Sequence, residues 1–317
     1  MVDRSRLDAE SVAPLDALLA AMPGGFNGIP DVVQRRATLS AILAAGAAEV
    51  PPNPNVTWTD HTFDGPGGSL TARVYRPTAA TGTLPGLIYI HGGGMVIGDL
   101  EGEHLGIIAM CEALGIALVF LDDPEATENP YPAGPEDCYA GTVWTFANAA
   151  ELGIDPANIG IYGGSAGGGL TLAVALMARD RKGPRLKYML PIYPMVDDRN
   201  VTPSSQEVVD VGLWDRSANL EAWGWYLGGK QADQYAAPTR ATDLSNLPPS
   251  YIDVGELDMF RDEDTDIAMR LNQAGVPCEF HIYPGAYHGS EVFAPMAVLS
   301  QRIVGNRLAA IRRFIEA

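Results

Sequence analysis

Ile159-Gly160-Ile161-Tyr162-Gly163-Gly164-Ser165-Ala166-Gly167-Gly168-Gly169-Leu170-Thr171 joins an apolar, strand-like run to a helix-forming run through a serine set among glycines. Gly163-x-Ser165-x-Gly167 fits a nucleophile elbow, a turn so tight that side chains at its flanks would collide. Glycine relieves that crowding, and the serine hydroxyl is carried to the carboxyl end of the strand. A phosphate-binding reading fails on spacing: no GxGxxG is present, and no Lys-Ser/Thr follows as a P-loop requires. A serine so placed needs a base, an orienting acid and donors for an oxyanion.

The flanking sequence alternates strand and helix signals. Val56–Phe63 and Leu70–Arg76 read as an antiparallel pair joined by Asp64-Gly65-Pro66-Gly67-Gly68. Strands are then expected at Leu87–Ile90, Ile116–Leu121, Ile159–Tyr162, Tyr188–Tyr193, Tyr251–Val254 and Cys278–Tyr283. Helices are expected at Leu105–Leu114, Glu136–Leu152, Ala166–Arg181, Arg261–Ala274 and around Met296–Ile315. The short apolar strands lack alternation, as strands covered on both faces do. The fold class is α/β, a mainly parallel, doubly wound sheet. Residues 1–50 carry two amphipathic helical patterns split by Met22-Pro23-Gly24-Gly25-Phe26 and read as a cap or an interaction arm. Residues 197–247 interrupt the alternation with polar turns and the aromatics Trp214, Trp223, Trp225 and Tyr226.

The chain has 317 residues, 47% of them hydrophobic, which suits one large α/β domain with an accessory segment or two medium domains. Its formal net charge of -18 argues against a nucleic-acid or anionic-membrane partner, since basic doublets such as Arg35-Arg36 and Arg312-Arg313 are few. Cys111, Cys138 and Cys278 are scattered, so neither a zinc site nor a disulfide framework is expected. The N-terminus has no secretion-signal pattern and no stretch is long enough to span a bilayer, so a cytoplasmic chain is expected.

His91-Gly92-Gly93-Gly94 follows the Leu87–Ile90 strand, where consecutive glycines let N–H groups converge on a tetrahedral oxyanion. Ala166, next to the serine, offers a further N–H, and His91 reads as a prop for the loop. After the Tyr251–Val254 strand come Glu256, Asp258, Asp262, Glu263 and Asp264. The last three open the next helix, where carboxylates favour the positive dipole end. Asp258 lies in the loop and is the chosen orienting acid, with Glu256 in reserve. Of five histidines, His288 alone follows the last strand in a loop before the closing helix, where this fold needs its base.

Together these motifs resemble the bacterial hormone-sensitive-lipase-like esterases, an α/β-hydrolase family, from about Val56 to the end. The resemblance implies a catalytic triad of Ser165, Asp258 and His288, with Gly93, Gly94 and Ala166 as oxyanion donors. It implies no metal and no organic cofactor, and a helical cap built from residues 1–50 and 197–247 over an acyl pocket. Met95, Leu213, Trp214, Trp223 and Tyr226 are candidates for lining that pocket, although aromatics in a cap equally form its own core. The implied activity is hydrolysis of short-to-medium acyl esters of small molecules, by analogy in a homodimer. An amidase or carbamate hydrolase with the same triad is one alternative. A ligand receptor is another, as in the plant gibberellin receptors, which have lost the histidine retained here. Two positions depart from the family pattern. Gly164 stands where an acidic or hydroxyl residue is usual. Asp122-Asp123-Pro124-Glu125-Ala126-Thr127-Glu128 stands where Asp-Tyr-Arg-Leu-Ala-Pro-Glu is usual.

Overall fold

A computed structural model describes residues 3–47, 50–122, 125–209, 211 and 213–317. Eight strands form one sheet: β1 (Val56–Gly65), β2 (Gly68–Pro77), β3 (Leu84–Ile90), β4 (Ala117–Asp122), β5 (Ile154–Gly164), β6 (Met189–Ile192), β7 (Ser250–Gly255) and β8 (Cys278–Tyr283). Their spatial order is β1-β2-β4-β3-β5-β6-β7-β8. Only β2 runs antiparallel to its neighbours; β4, β3 and β5 through β8 pair in parallel. Crossovers between parallel strands need helices. The chain supplies α1 (Ala9–Ala21), α2 (Val32–Ala47), α3 (Leu100–Leu114), α4 (Ala133–Ala147), α5 (Ala166–Asp180), α6 (Pro203–Glu207), α7 (Arg216–Leu227), α8 (Arg261–Gln273), α9 (Ser290–Phe293) and α10 (Val298–Glu316).

Period-two geometry sends successive strand side chains to opposite faces. Ile88, Ile90, Val119, Leu121 and Ile161 face one core, with Leu170, Leu172 and Val174 of α5. Leu87, Leu118, Phe120 and Tyr162 face the other, with Ile107 and Cys111 of α3 and Ala310 and Ile311 of α10. Both faces are covered, which accounts for apolar runs without alternation. In α5, every residue from Ala166 to Ala178 is buried.

The expected elements all form, with shifts at several ends. α3 starts at Leu100 rather than Leu105, capped by Asp99, which accepts from Gly102 N–H, and β3 starts at Leu84 rather than Leu87. The helix expected over Glu136–Leu152 is α4, which stops at Ala147, because the chain turns through Asn148 to Gly153 (φ 64°). β5 begins at Ile154, earlier than expected, because Leu84 of β3 gives its pairing a start beyond a register shift. No helix among the described residues is long and apolar enough to cross a membrane.

The first fifty residues and the stretch after β6 meet each other. Phe26 packs edge-on against Trp214 at 5.9 Å, and Arg35 pairs with Glu221 at 2.7 Å while lying over the Trp225 ring. Arg36 of α2 donates to the Val96 carbonyl at 2.7 Å, to Thr127 at 2.5 Å and to both oxygens of Glu128 at 2.8 and 2.9 Å. The departure at Asp123-Pro124 lies outside the described residues. Its far end, Thr127-Glu128, is gripped by a guanidinium from α2.

Candidate active site

β5 ends at Gly164, and α5 begins at Ala166, so Ser165 alone makes the turn, at φ 57° and ψ −118°. Such a conformation costs a non-glycine residue about 1–3 kcal/mol and persists only where the surroundings over-determine it. Here they do. A β-carbon on Gly167 would stand 2.2 Å from the Ile90 carbonyl oxygen and 2.4 Å from that of His91, so the helix starts hard against the end of β3. Ser165 N–H donates to the Ile192 carbonyl at 2.9 Å and its own carbonyl accepts from Met195 N–H at 2.9 Å, tying the turn to the end of β6.

His288 lies in the loop between β8 and α9. Its Nε2 is 2.9 Å from Ser165 Oγ and its Nδ1 2.7 Å from Asp258 Oδ2. Asp258, fully buried in the loop between β7 and α8, also accepts from Phe260 N–H at 3.0 Å. The imidazole meets two rings at steep angles, Tyr193 at 4.8 Å and 64° and Phe260 at 5.1 Å and 83°, which restricts its plane. The reserve acid, Glu256, is elsewhere: it pairs with Arg6 and accepts from Gly285 N–H at 3.1 Å. The other histidines are engaged away from Ser165 Oγ. His61 lies beside Trp144, His104 meets the Tyr75 hydroxyl at 2.9 Å, and His281 meets Glu279 at 2.8 Å.

The glycine loop arrives from the end of β3. Gly93 (φ 107°) and Gly94 (φ 64°) take backbone conformations that favour glycine, and the Gly93 carbonyl accepts from Val96 at 3.1 Å and Ile97 at 2.9 Å. Among the described residues, no acceptor takes the N–H of Gly93 or Gly94. Ala166 N–H belongs to the first turn of α5, where amides lack helical acceptors and the dipole favours an anion. His91 Nδ1 lies 2.7 Å from the Gly92 carbonyl and its ring stacks on Phe120, which fits a prop for the loop.

The pocket candidates divide. Trp214 lies on the glycine loop, and Met95, with φ 67°, reaches within 3.6 Å of where a Gly169 β-carbon would be. Leu213 is buried beside Trp214. Trp223 and Tyr226 pack on each other at 5.7 Å, and Tyr226 on Tyr131 at 5.7 Å, forming the core of the α7 layer.

Asp262, Glu263 and Asp264 all sit in the first turn of α8, as expected, and Glu263 and Asp264 are in addition buried there. Burial pushes both carboxyls well above the usual range, with Asp197 and Asp258 adding to the effect at Glu263, and Glu263, Asp258 and Asp253 adding to it at Asp264. The sequence showed three consecutive acids at a helix start; that the start points inward beneath the Asp258 loop is a tertiary fact.

Comparison with known proteins agrees with this architecture. A family model described as alpha/beta hydrolase fold matches residues 87–292. The chain belongs to this family. Its branch is the hormone-sensitive-lipase-like one, and its members name the activity class, carboxylic ester hydrolysis. A carboxylesterase of Mycobacterium tuberculosis, NlhH, is 34% identical over 310 residues, 96% of each chain. Among solved structures, a bacterial heroin esterase superposes with a TM-score of 0.93 at 36% identity over 99% of both chains. An esterase of the archaeon Pyrobaculum calidifontis superposes with a TM-score of 0.83 at 34% identity, over 90% of this α/β-hydrolase and 94% of that chain.

Proposed function

We propose that this α/β-hydrolase is a serine carboxylesterase that cleaves short-to-medium acyl esters of small molecules through an acyl-enzyme. The reading is carried by one observation, the continuous relay Ser165 Oγ–His288 Nε2 and His288 Nδ1–Asp258 Oδ2 at 2.9 and 2.7 Å. Ser165 Oγ attacks the ester carbonyl while His288 Nε2 takes its proton. Asp258 holds Nδ1–H and favours the imidazolium. The amides of Gly93, Gly94 and Ala166 receive the charge that develops on the carbonyl oxygen. His288 returns the proton to the departing alkoxide, and water then attacks the acyl-enzyme under the same base.

Residues 1–50 and 197–247 act in this reading as the cap, with Trp214 and Met95 as walls near the reacting carbonyl. The test is hydrolysis of p-nitrophenyl esters from acetate upward, with Ser165→Ala as control. Turnover should disappear in the variant, and the wild-type rate should peak at short chains. Retained turnover in Ser165→Ala would overturn the nucleophile. A peak at about twelve carbons or more would overturn the substrate class, since a pocket gains roughly 1–3 kcal/mol of discrimination per methylene it accepts or refuses.

A further inference from the structure

Beside the elbow lies a set of buried charges that the reaction does not consume. Arg307 of α10 holds both oxygens of Asp253 in β7, each at 2.8 Å, and donates through Nη1 to Glu291 of α9 at 2.7 Å. The side chains of Arg307, Asp253 and Glu291 are 6%, 1% and 6% exposed. Replacing buried ion pairs by apolar residues is often neutral or stabilising, so stability alone does not account for two pairs that share one arginine. Their placement does. Asp253 is in the strand that leads to Asp258, and Glu291, near the start of α9, follows His288 by three residues.

The link from this set to the imidazole is Tyr193. Its hydroxyl donates to the same Glu291 oxygen at 2.6 Å, its backbone N–H donates to the Asp253 carbonyl at 2.7 Å, and Arg307 lies over its ring at 5.1 Å. Burial pushes the phenol well above its ordinary range, so it stays a donor. The ring edge rests against His288 at 4.8 Å and 64°. Tyr193 takes φ 31°, unusual for a bulky residue, which marks a place fixed by its contacts. The bare elbow makes room for it: a β-carbon on Gly164 would come within 3.3 Å of Tyr193 Cε2 and 3.5 Å of its oxygen.

We propose that Tyr193 is a positioning residue for the His288 imidazole, tethered by its hydroxyl to Glu291 and through Arg307 to Asp253. The proposal rests on His288 being the base. The Tyr193 ring and Phe260, both packed against the imidazole, hold it in the plane that serves both Ser165 and the leaving group. The Gly164 departure and Tyr193 are then two halves of one arrangement.

The test is steady-state hydrolysis of p-nitrophenyl acetate by Tyr193→Phe, which keeps the ring and loses the tether, and by Tyr193→Leu, which loses both. Misplacing a reacting group by about 1 Å can cost roughly 100-fold, and such a loss falls on the chemical step. The Phe variant should lose about fivefold or more in kcat and the Leu variant tens-fold, with KM within about twofold in each. A Phe variant with wild-type kcat, or losses that appear as a higher KM instead, overturns the proposal. If the Leu variant does not fold, the Phe variant decides. Ser165→Ala runs in parallel. Inactive Ser165→Ala beside unimpaired Tyr193→Phe overturns this proposal alone, whereas active Ser165→Ala overturns the nucleophile assignment and this proposal with it.

Discussion

Trp214 lies so close over Gly94 that a β-carbon on the glycine would stand 2.0 Å from the indole Cη2. The indole is itself fixed, because its Nε1–H donates to Asn219 at 3.1 Å and Asn219 donates to Asn200 at 2.6 Å. A rigid aromatic plate is thus laid on the loop that carries the proposed oxyanion donors. Gly94→Ala should therefore fail twice, through the clash and through its φ of 64°. We expect a loss in kcat of about 100-fold or more, comparable to removing an oxyanion donor. Wild-type turnover by a folded Gly94→Ala protein would show that this loop stands apart from the reaction.

Trp214→Ala removes the plate and leaves the loop. Truncating a buried aromatic costs about 3–5 kcal/mol, visible in a urea titration. The substrate profile on p-nitrophenyl esters should shift toward longer chains. An unchanged profile would place Trp214 outside the pocket wall.

Asp258→Asn leaves the shape of the relay and changes its tautomer. An amide at this position can donate to Nδ1 and stabilise the imidazole with its proton on Nε2, facing Ser165 Oγ. The expected fall in kcat is about 1,000- to 10,000-fold at neutral pH. A fall under tenfold would return the role to another acid.

Two carboxyls near Asp258 set a pH signature. The folded-state range of Asp264 is raised by burial, so the native protein keeps its proton where the unfolded chain has lost it. That contribution is full below the unfolded value of about 3.9 and is lost as pH rises toward the folded one. Asp264→Asn mimics the neutral form. Its thermal midpoint should exceed that of the wild type at pH 8, with the gap closing near pH 4. A constant gap across that range would mean that Asp264 does not titrate between the two states.

Glu128 has the opposite sign. The Arg36 hydrogen bond, helped by Thr127, lowers its carboxyl to about 2, so the pair stabilises fully above about 4.5 and weakens as pH falls toward 2. Glu128 is largely exposed, and the effect should stay under about 1 kcal/mol. Arg36→Ala should flatten the acid side of the stability curve and free the Val96 turn that follows the glycine loop. An unaltered acid limb would show the grip to be without energetic weight.

What the sequence revealed about this site was local. Ser165, the glycines at 92–94 and the loop positions of Asp258 and His288 each announce themselves through short-range sterics or through their place after a strand. Residues that depend on distant segments did not. Tyr193 and Arg307 are brought together by the sheet order, and nothing within a helical turn of either signals the other. Glu263 and Asp264 look like ordinary helix-start acids because a dipole argument knows nothing of what lies beyond the helix end. Arg36 read as half of an isolated basic doublet, yet it is the residue that fastens the first segment to the loop beside the site. Nor does the aromatic run itself separate Trp214, which lies on the glycine loop, from Trp223 and Tyr226, which pack on each other within the same core.

The helix that follows Ser165 is buried from its first residue, Ala166, to Ala178. In an exchange experiment, its amides should be among the last to swap with deuterium, opening only with the whole molecule. Helices α1 and α2 expose much more of their surface and should breathe on shorter timescales. In the proposed reading, where they form part of the cap, substrate entry and product escape are governed by them, while the serine rides on the part of the protein that fluctuates least.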